Sequence, residues 1–192
     1  MLGRIVEEEV ARKKNGLLFR RNFSEIFTPV RNGEIQSEGI GNDESISMEV
    51  CSLFYTPKGK EKSEKVLYLH FSDDTTQDTA AVKCHTEYAL NDIDIRSEMP
   101  SEELKAVFSI VDGCAVQYRC DTVLHSLAHL VKSRNIVYTR CIQTPGHGKA
   151  EVDGKGWEAK TLVRRNTIDQ LHYLKTITVK TQECQITKWK MA

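Results

Sequence analysis

Short apolar runs separated by polar turns recur along the chain, and five of them have the length and residue types of β-strands. Residues 46–56 alternate at a near-period of two and are rich in β-branched and aromatic side chains, as half-buried strands are. Residues 106–111 form a short apolar run typical of a buried strand, whereas the alternation of residues 16–23 is broken. Strands are therefore predicted at residues 16–23, 46–56, 66–71, 106–111 and 136–142.

Apolar residues at helical spacing predict helices in the parts of the chain between the strands and at its start. Over residues 116–133 this spacing is carried by Val116, Val123, Leu124, Leu127, Leu130 and Val131. Further helices are expected at residues 4–14, 78–91 and 151–165, and loops at 28–45 and 57–65.

Three leading strands followed by alternating helices and strands predict an α/β fold, in which helices flank a mixed sheet. The length of 192 residues suits one domain of this kind. We expect the domain to span residues 16–168, with a charged N-terminal extension at 1–15 and a C-terminal extension at 169–192.

The composition narrows the class of protein. Hydrophobic residues make up 40% of the chain and charged residues 28%, which favours a packed core over disorder. The net charge of zero argues against a polybasic protein, although a neutral total can hide a basic face. The six cysteines are scattered without a CxxC pair, so reduced thiols are expected rather than a zinc site. No apolar stretch approaches a membrane span, and the acidic N-terminus does not resemble a secretory signal.

Candidate chemistry lies where two predicted elements meet glycine-rich turns. Asp112 ends the apolar run 106–111 and is followed at once by Gly113. Residues 144–156 place His147, Lys149, Glu151 and Asp153 in a turn that opens a predicted helix. Carboxylates at a strand end and at a helix start can hold a divalent metal over phosphates, which suggests nucleic-acid chemistry.

The same residues resemble motifs of the catalytic domain of DDE-type transposases, which are found as repeated genes in eukaryotic genomes. Residues 112–119 match an Asp-Gly-Cys-x-x-Gln-Tyr-Lys-like motif, and residues 146–154 match Gly-His-Gly-Lys-x-x-x-Asp-Gly. Weaker matches lie at residues 22–27, 34–37, 72–74 and 77–78. The resemblance covers about residues 16 to 165 and implies a ribonuclease-H-like fold.

The resemblance also implies metal-dependent cleavage and strand transfer on DNA, with two Mg²⁺ or Mn²⁺ ions held by three acids. Asp112 would be the second acid and Asp153 the third, with Glu151 as the alternative. The first acid falls at Asn22, which offers a metal a neutral carbonyl oxygen in place of a charge. Activity is therefore expected to be weak or absent, unless Glu25, Asp73 or Asp74 substitutes.

Other residues receive expectations of their own. His147 could act on a leaving oxygen, position a phosphate, or merely bond to the backbone. Lys149, Arg119 and Lys160 are candidate contacts to the DNA, although a solvated helix face explains Lys160 equally well. Trp157 and Trp189 are expected to pack in the core rather than to stack on bases.

Two functions from different classes remain open. The first is a transposase-derived, metal-dependent nuclease or strand-transfer domain, acting on DNA and, from the resemblance alone, in the nucleus; it could form homo-oligomers. The second is a non-catalytic nucleic-acid- or protein-binding module that keeps the fold. An unrelated hydrolase or phosphatase is disfavoured because the chain has no GxSxG elbow and no CxxxxxR loop.

Overall fold

The computed structural model describes residues 2–27, 45–95, 98–99, 103–143, 151–165 and 184–189. The helices are α1 (Leu2–Lys13), α2 (Thr79–Ile95), α3 (Ala115–Tyr118), α4 (Asp121–Arg134) and α5 (Glu151–Arg165). The strands are β1 (Gly16–Phe27), β2 (Ile46–Tyr55), β3 (Glu64–Ser72), β4 (Ala106–Val111), β5 (Val137–Ile142) and β6 (Cys184–Trp189).

These strands form one mixed sheet in the order β5-β4-β1-β2-β3-β6. The first three strands are an antiparallel meander, and β4 and β5 continue it parallel to β1. Parallel neighbours need crossover connections, which α2 and the pair α3–α4 supply. The α/β, ribonuclease-H-like arrangement expected from the order of elements is confirmed.

Both faces of the sheet are covered, because the side chains of β1 alternate between two cores. Leu17 and Phe19 join the larger core, to which α2 and α4 contribute Leu90 and Leu130. The opposite face packs against α1, where Val10 meets Leu18 and Ile110. It also packs against α5, where Val152 and Ala159 meet Met48 and Val50. The two faces are called here the α2–α4 face and the α1–α5 face.

The helix predicted over residues 116–133 is broken in two, which corrects that expectation. After α3 the chain turns through Arg119 to Cys120, whose extended backbone begins α4. The break allows Tyr118 to be fully buried while Val123 and Leu130 pack from α4. Helical spacing alone does not reveal the break, because apolar residues continue on both sides of it.

Both expected extensions contribute elements that contact the sheet. In α1, Val10 is fully buried and Glu7 forms an ion pair with Arg20 of β1 at 2.9 Å. From the C-terminal segment, β6 pairs antiparallel with β3. The domain boundaries at residues 16 and 168 stay a prediction.

Candidate functional site

Asn22, in the middle of β1, meets Asp153, and these are the positions where the first and third acids of the motif are expected. The Nδ2 of Asn22 donates a hydrogen bond of 2.9 Å to the Oδ1 of Asp153. The contact joins residues 131 positions apart in the sequence, and it brings the start of α5 onto the central strand. Asp153 is exposed and Asn22 is half-buried, so solvent reaches the pair.

Asp112 lies at the same level on the neighbouring strand. The parallel register pairs Arg21 with Val111, so Asn22, which continues within β1, lies beside Asp112, the first residue after β4. Ile110 contributes to the α1–α5 face, and alternation places Asp112 on that face with Asn22. The Oδ1 of Asp112 accepts a hydrogen bond of 2.6 Å from the amide of Gly113.

Two glycines in the first turns of α5 differ in how much they limit the approach of the helix to the sheet. A Cβ placed on Gly156 would lie 3.3 Å from the Oγ of Ser24 and 3.4 Å from Cγ2 of Val50. A Cβ on Gly154 would meet nothing within 4 Å. Gly156 therefore permits the close approach that holds Asp153 over Asn22, whereas Gly154 faces open space.

A buried charged cluster lies directly beneath this site on the α2–α4 face. Arg21 donates two hydrogen bonds to Glu49, from Nε to Oε1 at 2.8 Å and from Nη2 to Oε2 at 2.6 Å. His85 of α2 contacts the same carboxylate through Nδ1 at 2.7 Å. The other end of the guanidinium bonds to Thr86 and, at 3.2 Å, to the carbonyl oxygen of Val82. We call Arg21, Glu49, His85 and Tyr118 the core network.

The core network keeps its charges despite complete burial. Burial by itself would raise the pKa of Glu49, but the charge of Arg21 and the bonds from His85 and Arg21 outweigh it, so the pKa of Glu49 is lowered. Burial would likewise lower the pKa of Arg21, yet the adjacent Glu49 raises it overall. Burial, reinforced by the charge of Glu49, raises the pKa of Tyr118. An ion pair with its remaining hydrogen-bonding groups satisfied is the form in which charge is tolerated in a core.

Tyr118 connects the core network to the turn that carries Asp112. Its hydroxyl donates to Oε1 of Glu49 at 3.0 Å, and its carbonyl oxygen accepts from Nη1 of Arg140 at 3.2 Å. These bonds fix α3, which begins three residues after Asp112. The sequence interpretation missed the network, although Arg21 and Glu49 are charged residues inside apolar strands and could have signalled it.

A second polar chain reaches the site from residues of the resembling motifs. Gln77 donates from Nε2 to the carbonyl oxygen of Ser24 at 2.9 Å. Gln117 donates to Oε1 of Gln77 at 3.5 Å. Two motif glutamines thus join α3 to β1, two residues beyond Asn22.

The remaining predicted residues divide into those near the site and those outside the described part. Arg119 is exposed after α3, and its side chain makes no hydrogen bond or ion pair within the described residues. Lys160 is half-buried on α5. His147 and Lys149, the segment 34–37 and the side chain of Glu151 lie outside the described residues.

The candidate substitutes for the missing acid have no described contact with Asn22. Glu25, Asp73 and Asp74 are exposed, and Asp74 accepts a hydrogen bond of 2.8 Å from the amide of Thr76. That bond lowers the pKa of Asp74. The amino terminus of α2 is capped by Asp78, whose Oδ1 accepts from Ala80 at 2.8 Å. Asp74 therefore serves a local turn, and Asp78 serves as a helix cap.

The expectation that Trp157 packs in the core is wrong. Its side chain is 68% exposed on α5, one helical turn after Asp153. The core-facing positions of this helix are instead taken by Val152, Gly156 and Ala159. The side chain of Trp189 lies outside the described residues.

The donor set offers metal ligands of the right kind but with a reduced charge. Carboxylates of Asp112 and Asp153 and the amide carbonyl of Asn22 are hard oxygens of the type that Mg²⁺ and Mn²⁺ bind. Within the described ranges, no three His, Cys, Asp or Glu side chains come together in a way that could hold a metal ion. Asn22 brings no negative charge, so the two carboxylates of Asp112 and Asp153 are the charged oxygens of this set.

Comparison with known proteins gives the chain a family. A family described as "Domain of unknown function (DUF8701)" matches residues 6–191. The chain belongs to this family. No curated protein matches the sequence of this DUF8701 protein significantly.

One solved structure is similar at the level of the backbone. It is described as "Crystal structure of the Mos1 mariner paired end complex with Mn", with a TM-score of 0.35 and 10% sequence identity. The match covers 88% of this chain and 54% of that chain, so the DUF8701 chain spans about half the length of that protein. A likeness this distant carries no argument about function.

In the described part of the chain, no helix has both the length and the apolar character that crossing a membrane requires.

Proposed function

We propose that this DUF8701 domain derives from a transposase and processes DNA by metal-dependent phosphodiester chemistry, weakened by Asn22. The observation that carries the proposal is the contact between Asn22 and Asp153, beside Asp112, at one edge of the sheet. Three residues named by separate motifs thereby lie near one another beside the carboxyl end of β4. The motif resemblance and the strand order support the same assignment.

Asp112, Asp153 and Asn22 would hold Mg²⁺ or Mn²⁺ in this proposal. When bound, such ions activate an attacking oxygen and stabilise the leaving oxygen of a phosphodiester. The chain itself supplies the positions of the ligands: Gly156 seats α5, and the core network fixes α3. His147 would serve the leaving oxygen, and Lys149, Arg119 and Lys160 would contact the phosphates. Nuclear localisation and a homo-oligomeric state belong to the same proposal.

The second candidate function is a DNA- or protein-binding module without chemistry. The specific observation in its favour is that the amide of Asn22 already occupies one oxygen of Asp153. A carboxylate at position 22 would be repelled by Asp153 without a metal, whereas the amide makes the contact favourable. In the wild-type chain, the amide of Asn22 and the carboxylate of Asp153 are therefore paired without a cation.

A cleavage assay separates the two candidates. The wild-type chain, Asn22→Asp and Asn22→Asp/Asp112→Ala are incubated with duplex and single-stranded DNA in Mn²⁺, with EDTA as the blank. The proposal predicts cleavage that is restored or raised by Asn22→Asp and removed when Asp112→Ala is added. Folded variants that bind DNA but never cleave it would support the binding module instead.

A further inference from the structure

The flank of α5 that carries Asp153 also carries a large exposed aromatic side chain. We propose that Trp157 is a stacking platform for an unpaired base of a single-stranded DNA segment held at the site. The inference deepens the proposed function and rests on it, because it assigns the form of DNA that the site receives.

The position of Trp157 follows from the helical geometry of α5. Val152, Gly156 and Ala159 face the sheet, and Trp157 lies about 100–160° around the helix from them, toward solvent. Asp153 and Trp157 are four residues apart and are therefore neighbours on one side of the helix. Since Asp153 bonds to Asn22, Trp157 lies one helical turn from that contact.

The exposure of Trp157 is not explained by packing. Phe19, Tyr55, Tyr68 and Tyr118 are fully buried, whereas the indole is 68% exposed, the most of any large apolar residue in the described ranges. The close seating of α5 is achieved by Gly156 and does not require the indole. Single exposed apolar residues are common on protein surfaces, so it is the position of Trp157, one helical turn from Asp153, that assigns the indole to the site.

An exposed indole fits an unpaired base better than a duplex, in which the faces of the bases are covered by their neighbours. Next to it on α5, Lys155 is paired with Glu158 at 2.8 Å. Aromatic side chains stack on any unpaired base, at about 1–3 kcal/mol per base. A single strand whose base stacks on Trp157 would bring its phosphate toward Asp112 and Asp153.

Fluorescence tests the proposal directly, because the chain has two tryptophans. The variant Trp189→Phe leaves Trp157 as the only indole. It is titrated, in Mg²⁺ at low salt, with a 12-nucleotide oligothymidine and with an abasic strand of equal length and charge. We expect the oligothymidine to quench the emission and the abasic strand to leave it nearly unchanged. In the otherwise wild-type chain, Trp157→Ala should weaken oligothymidine binding about tenfold, while Trp157→Phe keeps most of the affinity.

Each outcome has a distinct meaning. If the chain binds both strands equally, with unchanged emission, the stacking platform is wrong and the proposed function survives. If it binds no DNA of any kind, the proposed function fails and takes this inference with it. If the emission shifts with protein concentration alone and sedimentation shows self-association, Trp157 belongs to an interface between copies, which also overturns the inference. The quenching readout uses the native indole, so it does not depend on the folding of Trp157→Ala.

Discussion

Replacing Asn22 by aspartate tests how the site is held together without a metal. In the wild-type chain, the amide donates to Asp153 at 2.9 Å. Asn22→Asp removes that donor and places a second carboxylate against the first. The variant should therefore be less stable than the wild type in the absence of divalent ions and should gain more stability when they are added.

The size of the stability loss in Asn22→Asp depends on how exposed the two side chains at positions 22 and 153 are. Losing a hydrogen bond of this kind costs about 0.5–1.5 kcal/mol. Two unit charges about 4 Å apart repel by about 1 kcal/mol in water and about 4 kcal/mol at a typical protein surface. Because Asp153 is exposed, we take the lower end for both terms and expect a loss of about 1.5 kcal/mol. A metal present at 100 times its dissociation constant would return about 2.7 kcal/mol.

Urea unfolding measured in EDTA and in Mn²⁺ is the assay. Asn22→Ala is one control: it loses the bond without adding a charge, so its stability should fall by less and respond little to Mn²⁺. The exchange Asn22→Asp/Asp153→Asn is the sharper control, because it restores an amide–carboxylate pair and should recover most of the metal-free stability. An Asn22→Asp variant as stable as the wild type in EDTA would refute the reasoning.

Three further predictions concern the supports of the site. Gly154→Ala should raise the free energy of unfolding by about 0.5–1 kcal/mol through helix propensity, whereas Gly156→Ala should lower it by about 1–3 kcal/mol through overpacking; denaturant melts of the matched pair decide this. Glu49→Gln should destabilise the fold by about 3–5 kcal/mol because it leaves Arg21 buried and unpaired, and Arg21→Met/Glu49→Leu should recover much of the loss; equal losses in both would contradict the assignment. Burial, with the nearby charge of His85, lowers the pKa of His70, which is 1% exposed and has no hydrogen-bond partner on either described ring nitrogen. Since the unfolded chain then binds more protons, stability should fall below about pH 6.5, by at most about 1.4 kcal/mol per pH unit, and His70→Phe should flatten this slope between about pH 5 and 6.5.

The sequence was sufficient to predict most elements, because each described strand from β1 to β5 coincides with a run rich in apolar residues. Asn22, Asp112 and Asp153 were singled out from their motifs as site candidates, but only the folded chain shows that Asn22 donates to Asp153. That contact joins distant parts of the chain, and periodicity carries no information about it.

Other features depend on the packing of three elements at once. Arg21 can be recognised as a buried, structural residue only once the fold shows that Glu49 and α2 lie beside it. The break before α4 arises because Tyr118 reaches Glu49, and helical spacing does not report such a bond. Trp157 was expected in the core, but the small side chains of Gly156 and Ala159 take the buried positions of α5 and leave the indole outside.

The central claim is that this edge of the sheet is a metal site weakened by one substitution. Calorimetric titration of Mn²⁺ into the wild type, Asn22→Asp and Asn22→Asp/Asp112→Ala tests it most directly. The account predicts weak binding by the wild type, binding at least tenfold tighter by Asn22→Asp, and loss of that gain when Asp112→Ala is added. Equal affinity in all three folded proteins would contradict it, because Asn22 and Asp112 would then not share a metal.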